Sequence, residues 1–143
     1  MNMDPQTTEI AKCEELDRQC EEKSVSIKKT IAQITPQFLM AHGRDLVQGC
    51  KDLMALSIQS STYLAQLSMK YGHDLEKFDR MLQGAERRLD RQLEMLSEMR
   101  RTLISLSSSS IDSAMLRQQQ ILLDSIAQAQ DSFNHEIDRL YDL

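Results

Sequence analysis

Glycine, proline and aromatic residues are scarce: four Gly, two Pro, three Tyr, three Phe and no Trp in 143 residues. So little turn and strand material excludes an all-β or doubly wound fold and predicts an all-α chain. Basic residues do not exceed acidic ones; the net charge of −5 leaves no overall positive field, which argues against nucleic acid as the main partner. Long apolar runs are missing as well. The longest uncharged stretch, residues 53–69, carries Ser57, Gln59, Ser60, Ser61, Thr62, Gln66 and Ser68 and is too short and polar to insert in a membrane. The opening residues show no apolar run behind a basic start, so no secretory signal is expected. Cys13, Cys20 and Cys50 are an odd number in a chain of ordinary length, which argues against a disulfide framework and for a reducing, cytoplasmic setting.

What the sequence has in quantity is heptad spacing, in four segments. The first seam is Ile10, Cys13, Asp17, Cys20, Ser24, Ile27, Ile31 and Ile34, with Asp4 as N-cap before Pro5 and a stop at Thr35-Pro36. The second is Leu46, Cys50, Leu53, Ser57, Ser60, Leu64, Leu67 and Tyr71, its early turns weakened by Gly43 and Gly49. A third runs Leu75, Phe78, Leu82, Ala85, Leu89, Leu93, Leu96, Leu103 and Leu106 into a serine run. The fourth follows an N-cap at Ser109 or Ser110 and runs Ile111, Met115, Leu122, Ile126, Ala129, Phe133, Ile137 and Leu140. The seams predict helices over 5–34, 37–71, 74–107 and 110–141, within one domain of residues 1–143.

The junction at Lys70-Tyr71-Gly72-His73-Asp74 decides the architecture. Read as a turn, Gly72 is the left-handed residue after one helix and Asp74 the N-cap of the next. Read as helix, residues 37–107 form one rod about 105 Å long. Dividing there gives four rods of matched length, about 45 to 53 Å each, which favours an antiparallel four-helix bundle with coiled-coil-like packing over one long helical hairpin.

Chemistry-bearing motifs are lacking. Cys13 and Cys20 stand about 10 Å apart along a helix, too far to share a zinc ion, and read as core. None of His42, His73 and His135 has a glutamate three residues before it, so the di-iron pattern of helical bundles is absent. The Arg80, Arg87, Arg88, Arg91, Arg100 and Arg101 group is interleaved with acids, with pairs expected at Glu76 to Arg80 and Glu98 to Arg101. Asp17, alone on an apolar seam, reads as a register-specifying residue. No nucleophile elbow or phosphate loop is present, so neither an enzyme nor a bound cofactor is expected.

The second segment is unusual in carrying only two acids and three bases. Such a helix is either the most enclosed in the bundle or a face that meets another chain. On the latter reading Leu53, Leu56, Leu64, Leu67 and Tyr71 are the candidate protein-binding residues. The nine methionines fit either core filling or an adaptable binding surface. The expectation is a non-enzymatic helical interaction or scaffold protein that self-associates, as a homo-oligomer, or joins a hetero-complex. The alternative is a small helical chaperone or a structural subunit of a secretion-type or phage-like assembly.

Overall fold

A computed structural model describes residues 5–71, 76–106 and 113–142. They form four helices: α1 (Pro5–Ile31), α2 (Pro36–Tyr71), α3 (Glu76–Ser105) and α4 (Ser113–Tyr141). The proposed caps Asp4, Gly72, Asp74, Ser109 and Ser110, and the seam residues Leu75 and Ile111, lie outside the described residues.

Helix α1 ends three residues before Ile34, although Ile34 keeps the heptad spacing. Its chain tightens there, with Gln33 N donating to Thr30 O at 2.9 Å and Ile34 N to Ile31 O at 3.2 Å, and Ile34 is buried as part of the connection. Thr35 then caps α2: Phe38 N donates to Thr35 Oγ1 at 3.1 Å. Pro36 occupies the first helical position, where its missing N–H leaves no bond unmade. The proline therefore starts α2 as well as separating it from α1.

The chain reverses between α2 and α3. On a continuous helix Ser57 and Gln92 would be about 52 Å apart, yet Ser57 Oγ donates to Gln92 Oε1 at 3.3 Å. The four helices make a bundle in which each runs antiparallel to the next in sequence. Around the bundle, however, the order is α1, α2, α4, α3. The tightest packing is between α2 and α4, and α2 faces α3 across the diagonal. The neighbours α2 and α4 run parallel, with Gly43 beside Gln118 at one end and Ser61 bonded to Glu136 towards the other. The pair α1 and α3 is also parallel, with Asp17 on Arg88 and Ser24 on Gln92.

Almost every described seam residue faces inward. One apolar cluster draws on all four helices, from Ile27 and Ile31 through Leu46, Leu53, Leu96 and Leu103 to Leu122, Ile126 and Phe133. Helix α2 packs on both neighbours and also meets α3 across the diagonal, so the low-charge helix is the most enclosed. Among the described residues, helix α1 buries the least apolar bulk. Its described inward side chains are Cys13, Cys20, Ile27 and Ile31, with half-buried Asp17 and Ser24 between them.

Two glycines of α2 predict opposite responses to alanine. A Cβ on Gly43 would meet Gln118 Oε1 at 3.2 Å, the free end of a flexible side chain, so Gly43→Ala should stabilise the protein by up to about 1 kcal/mol. At Gly49 a Cβ would meet Ile27 Cδ1 at 3.1 Å and Cγ1 at 3.3 Å, where α1 closes on α2 through a buried side chain. There the packing strain outweighs the gain in helix propensity, and Gly49→Ala should lose about 1 kcal/mol net. Urea titration of both variants measures the two signs.

Candidate functional site

The half of the bundle holding the N-terminal part of α1 and the C-terminal part of α2 is crossed by polar side chains. Asp17 of α1 accepts from Ser60 Oγ of α2 at 3.1 Å and pairs with Arg88 Nη2 of α3 at 3.0 Å. One turn along, Gln92 of α3 accepts from Ser57 and donates to Ser24 Oγ of α1 at 3.2 Å; Ser24 in turn donates to Cys20 O at 2.9 Å. On the α2–α4 side, Ser61 Oγ donates to the buried Glu136 carboxylate, which Arg139 Nη1 also reaches at 3.2 Å. The spacing explains the placement. Asp17, Ser24, Ser57 and Ser60 occupy heptad seam positions, so folding carries them inward with the leucines and they must pair with one another.

This layer closes on itself. Asp17, Cys20, Ser57, Ser60, Ser61, Arg88 and Gln92 surround a space of about 10 Å³, enough for one water and no larger ligand. Burial pushes the Asp17 pKa above its usual value, with Arg88 and Ser60 opposing the shift. Burial likewise pushes the Cys20 and Cys50 thiols up to about 11. Only a thiolate attacks an alkylating reagent, so each has about 100-fold less of the reactive form than an ordinary cysteine. All three cysteines are buried, and none is in a disulfide. Iodoacetamide should therefore label them in the native protein only as fast as the bundle opens; immediate labelling of Cys20 or Cys50 would contradict their placement.

The proposed protein-binding residues do not form one surface. Leu53, Leu64 and Leu67 are buried in the core, and the side chain of Tyr71 lies outside the described residues. Leu56 alone is half-exposed. With Ala55 and Asp52 of α2 and Gln19, Glu22, Lys23 and Ser26 of α1 it lines an open groove of about 520 Å³. A second groove follows the α1–α3 seam past Ser24, Val25, Lys28, Gln92 and Met95. Grooves therefore flank α1 on both sides.

The charged residues of α3 depart from expectation. Neither Glu76 to Arg80 nor Glu98 to Arg101 forms an ion pair; the described pair made by α3 is Arg88 to Asp17, across to α1. Local spacing overestimates such pairs because exposed long side chains gain little by holding one geometry. His42 is exposed, 3.5 Å from Asp45 and 4.6 Å between ring centroids from Phe38; His135 is also exposed, and His73 lies outside the described residues. Among the described residues no group of three His, Cys, Asp or Glu side chains is placed to hold a metal ion, and no helix is long and apolar enough to cross a membrane.

Sequence periodicity missed Gln92, Gln119 and Glu136, all buried, and Met99, fully enclosed. Gln119 sits three residues before Leu122 and Glu136 three after Phe133, so the continued period was a signal that their polarity masked. Gln119 Nε2 donates to Leu103 O at 2.6 Å, tying α4 to the last turn of α3. No protein-family model, curated protein or solved structure matches this chain.

Proposed function

We propose that this protein is a non-enzymatic helical interaction module of the cytoplasm that binds a protein partner, or a second copy of itself, through helix–helix contacts made beside α1. The observation that carries the reading is the thin apolar attachment of α1. Among the described residues it buries two large aliphatic side chains, Ile27 and Ile31; cysteines, the Asp17 and Ser24 contacts, the Lys23–Asp52 ion pair and Lys12 over the Tyr63 ring add to these, and a groove runs along each flank. Elements with few buried apolar contacts open first and are the ones partners displace or augment. If α1 swings away, the face that it covers on α2 lies open, and Leu53, Leu64 and Leu67 border it. Three cysteines outside any disulfide suit a reducing compartment.

The test is affinity capture of the full chain from its native cell, beside a Val25→Glu/Lys28→Glu variant whose changes lie on the α1–α3 groove and are exposed. A protein retained by the wild type, lost by the variant and bound stoichiometrically after purification supports the reading. Identical captures by both forms contradict it.

A second reading, a small chaperone or a subunit of a secretion-type or phage-like assembly, is favoured by a different feature. Met69 and Tyr141, 91% and 74% exposed, lie in the last turns of the parallel helices α2 and α4, at one end of the bundle. Aggregation of the chain alone, relieved by co-expression with one partner, would select this reading over the first.

A further inference from the structure

Arg87, Arg88 and Arg91 of α3 and Glu21 of α1 line an open depression of about 440 Å³ whose remaining wall is Gly84. Residues 84, 87, 88 and 91 are spaced three and four apart, so they share one face of the helix. At Gly84 there is room for a Cβ, which would touch Arg88 Nη2 at an ordinary contact distance of 3.4 Å. A side chain there would project into the depression beside the Arg88 guanidinium.

Two of the three arginines are uncommitted. Arg87 makes one hydrogen bond, its Nε donating to Gln83 O at 3.4 Å, and neither Arg87 nor Arg91 has a carboxylate at ion-pair distance among the described residues. Arg88 gives Nη2 to Asp17, but its Nε is buried with no hydrogen-bond partner. A buried donor left without an acceptor is rare, and the water-sized space that Arg88 also lines can supply one; Arg88 Nη1 and the exposed Arg87 and Arg91 are the donors left for the depression. With Asp17 already paired to Arg88, the three guanidinium groups against Glu21 leave one uncompensated positive charge.

We propose that this depression binds the dianionic phosphoryl group of a phosphate monoester or of free phosphate. The planar fork of arginine suits tetrahedral oxyanions, and Arg87 and Arg91, one turn apart, clasp it from two sides over Gly84. The depression shares Glu21 and Arg91 with the α1–α3 groove, but anion binding needs neither groove occupied by a protein.

Titration of inorganic phosphate into the ¹⁵N-labelled full chain, at ionic strength held constant with sodium chloride, tests the proposal through the arginine Nε–H signals. The expected result is saturable one-to-one binding that shifts Arg87, Arg88 and Arg91. Arg87→Gln/Arg91→Gln should weaken it at least about 10-fold, the loss of one charge-assisted hydrogen bond, with unchanged circular dichroism. Gly84→Leu, which favours helix and fills the space, should weaken it as well. Tighter binding of a phosphoserine peptide than of phosphate would assign the group to a phosphorylated segment, and equal binding to the free anion; both support the site. Shifts that grow linearly, that glutamate reproduces, or that survive the double substitution overturn it.

Discussion

Replacing Phe133 by alanine should lower stability by about 4 kcal/mol and move the urea midpoint down by about 2 M. Among the described residues Phe133 is the one aromatic side chain with no exposed surface. It lies on α4, and the α2–α4 interface is the tightest in the bundle. Removing its ring deletes buried apolar surface and leaves a cavity, because close-packed neighbours collapse only in part. Phe133→Leu, which keeps most of the volume, should lose much less. Equal losses from both variants would mean that the ring itself, and not the volume it fills, holds the two helices together.

Breaking the Asp17–Arg88 pair should cost about 3 kcal/mol at neutral pH, although the pair adds little net stability. The side chains are 13% and 25% exposed, so removal of the cation in Arg88→Met strands a largely buried carboxylate beside Ser60 and Cys20. Two companion measurements separate this account from simple loss of contact. In Asp17→Leu/Arg88→Met no charge remains to be stranded, and most of the stability should return.

Acid should also lessen the loss in Arg88→Met. Burial already raises the Asp17 pKa above its ordinary 3.8, so the folded chain holds that proton more tightly than the unfolded one. The stability from this group is full below the ordinary value and is lost as pH rises through the raised one. Without Arg88 the pKa rises further and the loss extends to higher pH. The Arg88→Met deficit is thus largest near neutrality and shrinks as Asp17 is protonated. A deficit that does not change between pH 7 and 4 would show that the carboxylate is not the source.

Heptad spacing made the helices and most of their inward faces readable, because a period of three and four is a property of each segment alone. The end of α1 was overestimated by the same logic, since Ile34 keeps the period after the backbone has left the helix. Which helices are neighbours was not readable. A break of a few residues at Gly72 to Asp74 points to adjacent α2 and α3, yet these lie across the diagonal and α4 takes the place beside α2. The polar layer was half legible. Asp17, Ser24, Ser57 and Ser60 stood out as polar seam residues, but their partners come from other helices, 68 residues away in the case of Ser24 and Gln92. Glu136 and Gln92 are polar residues that look like surface until those partners are known. The candidate binding leucines illustrate the same limit: one hydrophobic stripe serves equally to seal a bundle or to meet another chain, and here three of the five residues seal the bundle.

The central claim is that α1 is the loosely attached helix, whose opening makes room for a partner. Native-state hydrogen exchange tests it residue by residue. Amides of α1 should exchange through an opening at least about 1 kcal/mol below that of α2 and α4, with residues 13–24 leading. Exchange of α1, α2 and α4 through a single global unfolding, with equal protection throughout, would contradict it.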